Sequence, residues 1–185
     1  MNLIRHTPGL LSLWLRTPAS GTREQARQGV RRAIRHALAE KFGIAHPTIV
    51  EVPDRGPELL SSPPGPQLVL SISHADGLSA GAISDGRVVG IDVMRVVGFA
   101  ECVAVARDYL GPVVARRLGA LPPAQRGMAF ADAWTGHEAR LKCRGRSLGE
   151  WQPGDAAAPA GLSAWPLCLP PGYVGWIAVA PPAGE

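Results

Sequence analysis

Residues 68–93 read LVLSISHADGLSAGAISDGRVVGIDV, three strand-forming runs in close succession. Leu68-Val69-Leu70-Ser71-Ile72-Ser73-His74 is a strand ending in a polar pair. The runs 78–84 and 87–93 flank Asp85-Gly86. Asp-Gly between two apolar runs predicts a β-hairpin. The last run, Val88-Val89-Gly90-Ile91-Asp92-Val93, is a buried strand with one carboxylate in it. A carboxylate there costs free energy unless it is paired, hydrogen-bonded or bound to a metal. Taken alone, Asp92 is as readily a structural strand-end residue as a functional one.

Upstream, residues 53–66 are rich in Pro and Gly and predict a loop. Before them, Thr22 opens a helix, with Gln25 placed to complete a capping box. Ala26, Val30, Ala33, Ile34, Ala37, Leu38 and Phe42 fall at helical spacing, and Gly43 ends the helix. Residues 9–16 read as a first strand, with Leu11, Leu13 and Leu15 on one face. Downstream, residues 99–120 predict a helix broken near Gly111-Pro112, and residues 122–145 a long helix. A Gly/Pro-rich stretch follows at 146–161, then a hairpin from Trp165 to Ala180 turning at Pro170-Pro171-Gly172. The two halves share a weak helix-then-strands rhythm, which permits two related lobes, and there is no solenoid-type repeat.

The 185 residues suit one domain, or two small lobes sharing a core. Three cysteines, Cys102, Cys143 and Cys168, form no CxxC pair, so reduced thiols and a cytoplasmic location are expected. No run of about 18 apolar residues exists, and the stretch Leu10 to Leu15 is closed by Arg16, so neither a membrane span nor a signal peptide is expected. Residues 1–50 carry eight Lys/Arg against two Asp/Glu, net +6, whereas 51–185 carry eleven against thirteen, net −2. The basic excess is local and implies an acidic or phosphate-rich partner for the N-terminal part. The stripe Arg23, Arg27, Arg31, Arg35 fits that role, although such a stripe is more often a solvated helix face.

The long helix holds a second anomaly, Trp134-Thr135-Gly136-His137-Glu138-Ala139-Arg140-Leu141-Lys142. Trp134, Glu138 and Lys142 are four apart and share a face. A surface Glu–Lys pair would be worth little, about 0.3–0.5 kcal/mol, but Ala131, Trp134 and Leu141 mark a substantially buried helix. Asp92 and Glu138 together could hold Mg²⁺, with Lys142 and His74 on phosphate oxygens. A lone histidine is commonly structural, so His74 gains its meaning from the set. Two look-alikes fall away. Gly77-Leu78-Ser79-Ala80-Gly81 matches G-x-S-x-G, but a hairpin strand and not a helix follows the serine. His137-Glu138 begins H-E-x-x-H, but Leu141 holds the final position. No Walker A and no G-x-G-x-x-G sequence is present.

Gly90-Ile91-Asp92-Val93, followed some forty residues later by Trp134-Thr135-x-x-Glu138-Ala139-x-x-Lys142, resembles the paired signatures of the Sfp-type 4′-phosphopantetheinyl transferases. Ser71-Ile72-Ser73-His74 is similar to that family's N-x-S-H element, Pro171-Gly172-Tyr173 to its C-terminal hairpin, and the helix from Ile34-Arg35 to Ile44 to its basic helix. The resemblance spans roughly residues 20–180. It implies an α+β pseudo-dimer of two similar lobes, each a small antiparallel sheet packed with a long helix. Residues 1–90 would form one lobe and 91–185 the other, with the active site in the cleft between them.

By the same resemblance, the protein would move phosphopantetheine from coenzyme A to a serine of an acidic acyl or peptidyl carrier protein, with Mg²⁺, as a monomer. Asp92 and Glu138 would hold the metal, Glu138 would take the serine proton, and Lys142 would neutralise phosphate charge. His74, Ser73, Arg31, Arg35, Arg55 and His137 are the remaining candidates for coenzyme A. Met94 stands where many members have a second strand carboxylate, His137 replaces a lysine, and Ser71 replaces an asparagine. Two other readings are a degenerate member that binds without catalysis, and a nucleic-acid module using the arginine stripe. The chain carries no motif for the latter.

Overall fold

A computed structural model describes residues 2–18, 21–52, 56–60, 67–156 and 161–181. Among them are nine strands and four α-helices, a mixed α+β architecture of small antiparallel sheets. The first sheet is built from β1 (Asn2–Thr7), β2 (Leu10–Arg16), β5 (Leu68–Ala75) and β6 (Leu78–Asp85), in the order β1-β2-β6-β5. Helix α1 (Arg23–Phe42) lies on one face of it. The capping box at Thr22 is formed in both directions, and Gly43 closes the helix in the left-handed conformation at φ 69°. Val30, Ile34 and Leu38 of α1 pack on Leu13, Leu70 and Ile83 of the sheet. Gly81 makes room for this, because a side chain there would meet Ile34 at 2.8 Å.

The second sheet has the order β7-β9-β8, from β7 (Val88–Arg95), β8 (Ser163–Pro166) and β9 (Tyr173–Ala180). The C-terminal hairpin expected from Pro170-Pro171-Gly172 is therefore present. Helix α4 (Pro123–Cys143) covers one face of this sheet. Helices α2 (Cys102–Leu110) and α3 (Pro112–Gly119), parted at Gly111 as expected, pack with α4 around Phe130. Between the sheets runs an apolar layer in which Leu78, Ala80 and Ala82 meet Val89, Ile91, Val93 and Ile177. The order of layers is thus helix, sheet, sheet, helix.

Three local expectations are corrected. The hairpin expected at Asp85-Gly86 does not form, since β6 pairs with β5 and β2 whereas β7 pairs with β9. Asp85-Gly86 turns the chain from one sheet to the other. The tight hairpin sits instead at Asp76-Gly77, between β5 and β6, with Gly77 at φ 79°. Its tip is held by the second sheet, where Tyr173 Oη donates to the Asp76 carbonyl at 2.8 Å and Arg95 pairs with the Asp76 carboxylate at 2.6 Å. Second, residues 56–59, inside the stretch expected to be a loop, form β4 (Gly56–Leu59) against β3 (Ile49–Val52). A two-stranded ribbon leaves each strand a free edge, so Pro57 is tolerated there. Third, residues 2–7, whose apolar residues do not alternate, form β1 along β2. Among the described residues no helix is long and apolar enough to cross a membrane.

Candidate active site

The site forms where β5, an edge of the first sheet, meets β7, an edge of the second. Strand alternation sorts the β5 side chains. Leu68 and Leu70 join the core under α1, and His74 points to the same side. Ser71 and Ser73 point to β7. Their hydroxyls replace a backbone ladder between the strands, with Ser71 Oγ accepting from the Ile91 amide at 3.1 Å and Ser73 Oγ from the Val93 amide at 3.2 Å. Alternation along β7 is equally consequential. Val89, Ile91 and Val93 enter the layer between the sheets, so Gly90 and Asp92 face α4.

Gly90 lets α4 approach. A side chain there would lie 2.1 Å from the Ala139 carbonyl oxygen and 2.5 Å from the Cys143 amide. That contact brings Lys142 Nζ to 2.7 Å from Asp92 Oδ1 and 3.2 Å from the Ile91 carbonyl. Ser73 Oγ donates to the same Asp92 oxygen at 2.7 Å. Asp92 is 8% exposed and its charge is met by an ion pair and a hydrogen bond, as the cost of burying a carboxylate demands. Both described hydrogen bonds go to Oδ1.

Trp134, Glu138 and Lys142 share one face of α4, as the four-residue spacing implies, and line a cavity of 440 Å³ together with Asp92, Met94 and His74. Burial raises the pKa of Glu138, the Asp92 charge raises it further, and Lys142 opposes the rise. A second cavity of 320 Å³ adjoins the first, with Arg23, His74 and Lys142 in both walls. It is walled by cations, adding Arg27, Arg31 and Arg146. The pKa of His74 is lowered, first by burial and then by Arg27, Arg23, Lys142 and Arg31, which disfavour another positive charge.

His74, Asp92, Glu138 and Lys142 thus line one cavity, and Arg31 lines the adjoining one, where it also pairs with Glu51 at 2.5 Å. Ser73 lies in the wall but its hydroxyl is engaged between Asp92 and β7. Arg35 is exposed and lines neither cavity. Each four-residue step along a helix turns about 40°, so Arg35 has drifted about 120° from Arg23. His137 lies about 100° around α4 from Glu138. It is half-buried among Asp155, Arg140, Arg144 and Arg146, outside both cavities, and burial lowers its pKa. Arg55 lies outside the described residues. Arg146 is the cation that sequence reasoning did not single out, whereas Arg23 and Arg27 were read only as part of the arginine stripe. For Arg23 and Arg27 the signal existed, because the first turns of a capped helix carry the stripe that points back over the sheet. No protein-family model matches the chain, and no curated protein matches it.

Proposed function

We propose that this chain is a 4′-phosphopantetheinyl transferase, moving the phosphopantetheine arm of coenzyme A onto a serine hydroxyl of an acyl or peptidyl carrier protein. The observation that carries the reading is one continuous cleft with two unlike walls. One wall is cationic and suits the phosphates of a nucleotide. The other holds Asp92 and Glu138, with Lys142 paired to Asp92, the equipment for moving a proton and balancing charge beside a phosphorus atom. On this reading the two helix-backed sheets are the lobes of a pseudo-dimer, and the acidic carrier protein docks across the cleft of a monomer.

Among the described residues no group of three or more His, Cys, Asp or Glu gathers at one point. Mg²⁺ needs no such group, because it takes one or two carboxylates and completes its shell with substrate phosphates and water. The donor set fits. Asp92 and Glu138 line the same cavity, which leaves room for phosphate oxygens and water around an ion held by two carboxylates. These two residues would hold the ion, which supplies charge neutralisation on the pyrophosphate.

The protein's own residues do the rest. Arg23, Arg27 and His74 bind phosphate oxygens and orient the pyrophosphate. Glu138 accepts the proton of the carrier serine. The serine oxygen forms a bond to the phosphorus bearing the pantetheine arm, and the bond from that phosphorus to the bridging oxygen breaks. Adenosine 3′,5′-bisphosphate leaves with the electron pair, and Lys142 balances the charge that develops. Catalysis on these terms is positioning and electrostatics.

Intact-mass spectrometry of an apo carrier protein incubated with this protein, coenzyme A and Mg²⁺ tests the proposal. The expected result is a gain of one phosphopantetheine per carrier, lost when EDTA is added. No gain with several carriers would overturn it, and retained coenzyme A binding in that case would identify a binder without catalysis.

A further inference from the structure

His74 and Ser79 face each other in register across the β5–β6 hairpin. His74 Nδ1 lies 2.8 Å from Ser79 Oγ. His74 lines both cavities, whereas Ser79 is fully buried and lines neither. The ring is therefore tied at its inner nitrogen and presents its outer edge to the cleft. A neutral imidazole has one donor and one acceptor nitrogen, and which is which decides what the outer edge can bind.

We propose that Ser79 is a positioning residue whose hydroxyl donates to His74 Nδ1, fixing the tautomer with its proton on Nε2 and making the neutral ring a hydrogen-bond donor to a phosphate oxygen. Two arguments support that direction. A buried hydroxyl proton needs an acceptor, and among the described hydrogen bonds Nδ1 is the acceptor that Ser79 Oγ reaches. With the proton on Nδ1, the hydroxyl hydrogen would lose that acceptor inside a core strand. The opposite tautomer would also aim an Nε2 lone pair at any bound anion. The charged groups acting on the ring are Arg23, Arg27 and Arg31 from α1 and Lys142 from α4, and with burial they favour the neutral form. Neutral is therefore the state in which the tautomer matters. The inference rests on the reading of the cleft as a phosphate site.

Imidazole ¹⁵N NMR of the full chain, at a pH above the ordinary histidine value of 6.5, reads the tautomer without any variant. An unprotonated, hydrogen-bonded Nδ1 with a protonated Nε2 is expected, and a protonated Nδ1 overturns the inference. Calorimetric titration with coenzyme A supplies a second readout. Ser79→Ala should weaken binding roughly 3–10-fold, the worth of one hydrogen bond. On a His74→Gln background, whose amide has no tautomer to fix, the same change should cost nothing further. Equal losses on both backgrounds would show Ser79 acting through packing and overturn the inference. If the wild-type chain binds no coenzyme A, the phosphate reading fails, and the spectrum still decides the state of His74.

Discussion

Glu138 and Lys142 stand one helical turn apart, and their coupling bears on how the Glu138 carboxyl answers to pH. Burial and the Asp92 charge hold the Glu138 carboxyl above its ordinary value of 4.5, and Lys142 restrains the rise. The protonated form is thus favoured by the fold. Its contribution to stability is complete below 4.5 and is lost as pH rises through the raised value. In the metal-free protein, side-chain ¹³C NMR should therefore find Glu138 titrating above the ordinary carboxylate range. Removing the Lys142 charge with Lys142→Met should move that titration to higher pH, and an unmoved or lowered one would contradict the coupling. Glu138→Gln should reduce turnover about 10²–10⁴-fold. Asp92 and Glu138 were legible as anomalies, each a carboxylate in apolar surroundings. Ser79 was not, because a small serine in an apolar strand breaks no pattern, and its partner becomes visible only once the hairpin is closed.

At the scale of elements, the fit of α4 against β7 is the critical contact. Gly90→Ala should destabilise the protein by about 3 kcal/mol in denaturant titration, since the added methyl would strike helix backbone that cannot yield. Gly149→Ala, at a position with nothing within 4 Å, should change stability by less than about 0.5 kcal/mol. Comparable losses at both positions would mean that the close approach has no special role. The four α-helices and the longer strands were readable from apolar runs, caps and the Gly111-Pro112 break, whereas β1, β3 and β4 were not. Strand pairing was harder. Asp-Gly occurs at both 76–77 and 85–86 and marks a turn at each, but a turn does not say which strands pair beyond it. β7 pairs with β9, 78 to 92 residues away, and local pattern carries no record of that partner. Arg35 was misplaced for a geometric reason, because a four-residue repeat is longer than the helical turn and winds away from the cleft.

Across the whole molecule the site divides by chain order. Segment 2–85 supplies the cations of α1 and His74, and segment 88–180 supplies Asp92, Glu138 and Lys142. The cation wall should make coenzyme A binding fall with ionic strength. Arg27→Ala should weaken that binding roughly tenfold at low salt and flatten its salt dependence, whereas Arg35→Ala should do neither. Equal effects from the two would show a diffuse attraction in place of a defined wall. The crossing at Asp85-Gly86 carries a consequence for recombination. A chimera joined at that dipeptide exchanges one complete sheet and its helix for another. The binding half can then vary while the carboxylates stay unaltered. What any graft must preserve is what crosses between the sheets, namely the apolar layer of Leu78, Ala80 and Ala82, the two β5 hydroxyls opposite Ile91 and Val93, and Asp76 under Tyr173 and Arg95.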